Sequence, residues 1–130
     1  KGTAEGRLVG GNLSLIYSMG GTLFDLKVKG GILFFEDTGE ANYAIDRMLM
    51  NLKLSGKLDA VKGIVVGEFT NMTASGDSSI ESIVRDRVAD LKIPVMYGVQ
   101  VGHDTENLSL YLGRKVKLTV DDSKSTLTYE

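Results

Sequence analysis

"GILFFEDTGE", residues 31 to 40, decides how this chain is read. Four apolar residues, Ile32 to Phe35, run straight into two carboxylates, Glu36 and Asp37. Gly39 then marks a turn ahead of a helical pattern. A short, continuous apolar run next to glycine predicts a strand covered on both faces. An acid at the end of such a strand needs a partner or a task, because an unpaired charge is costly to bury.

Two further runs share this form. Ile64–Val66 lies between Gly63 and Gly67, and Val95–Val99 is marked by Pro94 and Gly98. Helical patterns alternate with them. Ile45, Met48, Leu49 and Leu52 recur at i, i+3, i+4 and i+7, with Asp46, Arg47 and Lys53 on the other side and Gly56 as the C-cap. Ile80, Ile83, Val84 and Leu91 form a second stripe with Val88 beside it, and Ser78 with Glu81 forms a capping box. This β-α-β-α-β order predicts a parallel core. At the tail, Val116, Leu118 and Val120 alternate with Lys115, Lys117 and Thr119. A turn over residues 121–124 and a return strand over Ser125–Tyr129 complete a half-exposed hairpin. At the head, a strand at Gly6–Val9 leads through "GGN" into a helix over Leu13–Met19. The expectation is one α/β domain of 130 residues, with a parallel core sheet and an antiparallel flank.

Composition narrows the function classes. A net charge of −2 provides no basic surface for nucleic acid or anionic membrane. No apolar run approaches the roughly 20 residues of a membrane span. The absence of cysteine removes disulfides, thiolate catalysis and Cys-based zinc sites, and a single histidine removes a multi-His metal site. The chain opens on Lys1 without a signal-peptide pattern, which leaves the compartment undecided.

Three places could carry chemistry. Glu36 falls at the carboxyl end of a predicted core strand, where open α/β sheets gather their sites. The alternative is that Glu36 and Asp37 are loop carboxylates near a helix N-terminus, favoured there by the dipole. His103, in "GVQVGHDTEN", follows the third predicted strand. It is either a solvated loop residue or a general base aimed by the turn at Gly102, Asp104 and Glu106. On neighbouring parallel strands, Glu36 and His103 would meet at one edge, as the orienter and base of a hydrolase triad. No G-x-S-x-G nucleophile elbow accompanies them. Ser75, Ser78 and Ser79 in "TASGDSS" read as a loop and a helix cap. Gly10, Gly11 and Asn12 are the third candidate, either a plain turn and cap or backbone amides that bind an anion or substrate. They lack the full dinucleotide or P-loop spacing.

Taken together, "AEGRLVGGNLSLI", "ILFFEDTGE", "IDRMLMNLKLSGKLDAVKGIVVGEFT" and "IPVMYGVQVGHDTEN" resemble the C-terminal domain of the LD-carboxypeptidases, over about residues 4–118. That family includes muramoyltetrapeptide carboxypeptidases and microcin C immunity peptidases. The resemblance implies a three-layer β/β/α domain of the swivelling type. It also implies a Ser-His-Glu triad in which Glu36 is the orienter and His103 the general base. The serine nucleophile would come from an N-terminal domain absent from this chain. Implied too are a muropeptide substrate losing its terminal D-alanine, no metal or cofactor, a cytoplasmic setting and a homodimer in the full-length form. A peptidase of the microcin type, cutting an aminoacyl-nucleotide amide, is the alternative within the family. A non-catalytic module binding a small anion is the alternative outside it. The chain departs from the family pattern at Ala44 after Tyr43, where a basic residue is frequent, and at Tyr111 in "LYLG", where proline is common. Neither position touches the presumed triad.

Overall fold

The computed structural model describes residues 1–73 and 79–130. The elements, in chain order, are β1 (Gly2–Asn12), α1 (Leu13–Met19), β2 (Ile32–Thr38), α2 (Asn42–Leu54), α3 (Lys57–Ala60), β3 (Gly63–Thr70), α4 (Ile80–Val88), β4 (Val95–Met96), β5 (Lys115–Val120) and β6 (Ser125–Tyr129). One six-stranded sheet runs β4-β3-β2-β1-β5-β6. The first four strands are parallel, while β5 and β6 are antiparallel.

The alternation along β2 explains the layers. Leu33 and Phe35 enter a cluster with α1, α2 and α4, including Leu13, Ile45, Leu49 and Val84. Ile32 and Phe34 face the other way and join Leu8, Val65, Val116 and Leu118 beneath the curled antiparallel flank. Both faces of the central strands are therefore dry, which is why they read as unbroken apolar runs. Full burial of a side chain such as Phe35 contributes on the order of 1.5–3 kcal/mol. The same alternation sends Glu36 to the hairpin face and Asp37 to the helix face.

Several elements differ from the sequence expectation. The short α3 was not expected, and β3 runs on past 64–66 to Thr70. β1 is longer than Gly6–Val9 and continues through Gly10 and Gly11, so "GGN" is strand and not turn. The glycines serve a close approach there: a Cβ on Gly10 would lie 1.8 Å from the Phe34 carbonyl oxygen, and φ is +146°. β1 pairs with β5 through its first half and with β2 through its second, so it joins the two parts of the sheet. β2 carries on through Glu36 and Asp37 to Thr38. The third core strand, expected over 95–99, is only the two-residue β4, because Gly98 at φ +71° turns the chain out of the extended region. The helix cap at 78–81 falls partly outside the described residues; the cap observed for α4 is Ser79, whose hydroxyl accepts the Ser82 amide at 3.1 Å. Ser75 and Ser78 also lie outside the described residues.

Gly56 ends α2 as expected, at φ +83° with its amide on the Lys53 carbonyl at 3.1 Å. Among the described residues, no helix is long and apolar enough to cross a membrane.

Candidate functional site: a carboxylate–histidine pair at the carboxyl edge of the sheet

β2 and β4 are not neighbours, since β3 lies between them. His103 nevertheless reaches Glu36. The register of β3 against β2 shifts between Phe35/Val66 and Asp37/Phe69, so β3 bulges at Gly67–Glu68. The bulge frees the Glu68 amide to take the Val101 carbonyl at 3.0 Å. The chain after β4 is thereby drawn across the end of β3, and Gly102 comes to rest against Glu36. His103 Nδ1 then lies 2.7 Å from Glu36 Oε2.

The pair is asymmetric in its surroundings. The Glu36 side chain is 8% exposed and the His103 side chain 49%. A carboxylate this buried needs a hydrogen-bonded partner, and the imidazole supplies it. Accepting Nδ1–H fixes the tautomer with the lone pair on Nε2. Among the described residues Asp104 makes no hydrogen bond to the ring; its Oδ1 accepts the Thr105 amide at 2.7 Å.

Asn12 stands opposite Glu36 in the β1–β2 register. Its Oδ1 caps α1 by accepting the Leu15 amide at 3.1 Å. Its Nδ2 points to Asp37 Oδ1 at 3.1 Å and to Glu36 Oε1 at 3.5 Å. Asp37, read in the sequence only as a carboxylate near a helix N-terminus, stands at the start of α1 and within β2. It is 1% exposed and also accepts the Ser14 amide at 2.9 Å, the Ser14 hydroxyl at 2.6 Å and its neighbour's Thr38 amide at 2.8 Å. The Ser14 hydroxyl lies 3.1 Å from Glu40 Oε1. The first turn of α1 is thus occupied by a carboxylate of the protein itself. The signal for this was the double acid after the strand: by alternation, one of two consecutive acids had to face the helices. Gly10 and Gly11 pair with Phe34 and Phe35, one and two residues before Asn12.

The edge of this α/β domain thus holds a buried carboxylate hydrogen-bonded to a half-exposed histidine. The chain matches the family described as LD-carboxypeptidase C-terminal domain over residues 5–118, and it belongs to that family. It is 36% identical to a Bacillus subtilis protein named "Probable murein peptide carboxypeptidase", over 97% of this chain and 40% of that protein. It is 32% identical to the Escherichia coli microcin C7 self-immunity protein MccF, over 98% of this chain and 38% of that one. Among solved structures, the muramoyltetrapeptide carboxypeptidase of Oxalobacter formigenes superposes with a TM-score of 0.88 at 33% identity, covering 98% of this chain and 46% of that chain. A solved MccF structure described as an active site mutant, with a serine, an asparagine and a lysine changed to alanine, superposes at 0.86 with 28% identity, over 100% of this chain and 39% of that chain. The chain thus spans about 40% of the length of the curated relatives it matches.

Proposed function

We propose that this chain is the part of a serine LD-carboxypeptidase that supplies the glutamate and histidine of a Ser-His-Glu triad. The observation that carries the reading is the 2.7 Å contact between Glu36 Oε2 and His103 Nδ1. Among the described residues Nε2 has no hydrogen-bond partner, so it is available to a hydroxyl brought by the rest of the polypeptide. His103 would take the proton of that serine as it attacks the scissile carbonyl, then pass it to the leaving amine. Glu36 would hold the ring and stabilise the imidazolium. The bond cut would release the terminal D-alanine of a peptidoglycan tetrapeptide, in keeping with the murein carboxypeptidases among the relatives. A serine among the substituted active-site residues of an MccF structure supports the nucleophile's identity.

A microcin-type activity is the second reading, favoured by the 32% identity to MccF. One experiment separates the two. The complete protein is offered a muropeptide tetrapeptide and, separately, an aminoacyl sulfamoyl nucleoside. Release of D-alanine, abolished by His103→Ala, is the expected result. Cleavage of the nucleoside compound alone would transfer the protein to the other branch. Full activity in His103→Ala on both compounds would end the triad reading. The 130-residue chain by itself is expected to release no D-alanine, because triad members act as a unit.

A further inference from the structure

The histidine stands on irregular chain. Between β4 and β5, residues 97–114 form no strand or helix. Individual bonds must therefore hold His103 at Glu36. The Val99 amide on the Val66 carbonyl at 3.2 Å and the Val101 amide on the Val99 carbonyl at 2.7 Å shape the root of the loop, and four further bonds fix its entry, its neck and Gly102. The Glu68 amide on the Val101 carbonyl, at 3.0 Å, ties the entry of the loop to β3. The Leu108 amide on the Gln100 carbonyl, at 2.7 Å, closes the neck. Gln100 Nε2 to Glu106 Oε2, at 3.2 Å, joins two exposed side chains across it. The fourth, from the Gly102 amide to Asn107 Oδ1 at 3.1 Å, acts next to the histidine itself.

Gly102 is where position matters most. A Cβ there would sit 3.3 Å from Glu36 Oε2 and 3.3 Å from both the Glu68 Cβ and the Glu68 carbonyl oxygen. The side of Gly102 on which a Cβ would stand is thus closed by the Glu36 carboxylate and by Glu68. A rotation of the peptide leading into it would swing the next residue, His103, away from Glu36. Asn107 Oδ1 holds that peptide by its N–H.

From this we infer that Asn107 is a positioning residue for His103, acting through the Gly102 amide to keep Nδ1 on Glu36. The interaction uses only an acceptor oxygen at position 107. Aspartate can supply that oxygen, whereas alanine and leucine cannot. Asn107 is exposed, so its replacement leaves the core untouched. The consequence for catalysis rests on the proposed role of Glu36 and His103; the positioning itself does not.

Nitrogen-15 NMR of the 130-residue chain tests the positioning directly, since its one histidine gives a single set of ring signals. The native chain and Asn107→Asp should show one tautomer, protonated at Nδ1, with a protected Nδ1 proton. Asn107→Ala and Asn107→Leu should show averaged tautomers and lose the protected proton, with unchanged melting. A native ring signature in Asn107→Ala would overturn the inference. So would loss of the signature in Asn107→Asp as complete as in Asn107→Ala. In the complete protein, Asn107→Ala should lower kcat by roughly 10- to 100-fold with little change in KM, and Asn107→Asp should restore most of it. If the ring signature changes while kcat does not, the catalytic reading of the pair fails and the positioning stands.

Discussion

Glu36 and Asp37 are adjacent acids on one strand, both almost fully buried, and they are used in opposite ways. Asp37 faces the helices. Its carboxylate is filled by donors from Asn12, Ser14 and Thr38, and all of them belong to regular elements. Glu36 faces the other side, and its short contact is to a half-exposed ring on an irregular loop. The first arrangement joins the end of β1, the start of α1 and β2. The second leaves a polar group whose partner has one nitrogen free for a further task. Burial is nearly the same for the two acids; what differs is that the nearest donor to Glu36 comes from irregular chain.

Substitution separates the two acids most sharply. In the complete protein, Glu36→Gln should reduce kcat by roughly 10²–10⁴-fold, because the ring loses its orienting charge. The same change should alter the stability of the 130-residue chain by about 1 kcal/mol or less, since the glutamine carbonyl still accepts from Nδ1. A large shift of the urea midpoint with unimpaired turnover would reverse the assignment of the two acids.

A glycine on the neighbouring strand should show the next largest effect. Gly10→Ala places a methyl group against the Phe34 carbonyl oxygen, just before the two acids, in a backbone conformation that L-residues avoid. It should destabilise the chain by about 3 kcal/mol or more, or prevent folding, as read by circular dichroism and urea unfolding. Asp37→Asn should cost about 1–3 kcal/mol, because an amide offers one acceptor oxygen where several donors converge. Its effect on activity should track the unfolded fraction. A folded Asp37→Asn protein with turnover as low as Glu36→Gln would show that the two acids share one task.

A smaller effect comes from a surface acid, which serves as the reference for both. The Arg87 guanidinium, bonded to Asp46 at 2.6 and 2.9 Å, holds that carboxyl below its ordinary value of 3.8. The folded value lies below the unfolded one, so the pair stabilises the fold above the unfolded pKa. That contribution disappears as pH falls through the folded pKa. With side chains 29% and 39% exposed, solvent screens the pair. Asp46→Asn should therefore cost under about 1 kcal/mol at pH 7 and nothing in strong acid. An undiminished difference between the two proteins at pH 2 would mean that packing and not charge is responsible.

Much of this was legible in the chain. The apolar runs at 32–35 and 64–66, the stripe from Ile45 to Leu52 and the alternation from Val116 to Val120 each appear where their periods place them. These features are local, set by which face of an element must be dry. The lone histidine and the glutamate that ends the apolar run were visible as candidates for the same kind of reason. Less visible was the use of the glycines. Gly10 and Gly11 look like a turn and are strand, because glycine permits both a tight turn and a close strand approach, and only the neighbour Phe34 distinguishes them.

By itself, then, the sequence determined the class of the fold, the dry faces of its strands and helices, and the residue types available for chemistry, since all of these follow from short-range periodicity and side-chain character. Tertiary structure decided that β3 stands between β2 and β4, that a bulge at Gly67–Glu68 brings the following loop across it, and that Asp37 closes the start of α1 while Glu36 meets His103. Those outcomes depend on contacts between residues up to 67 positions apart, whose meeting no local pattern encodes.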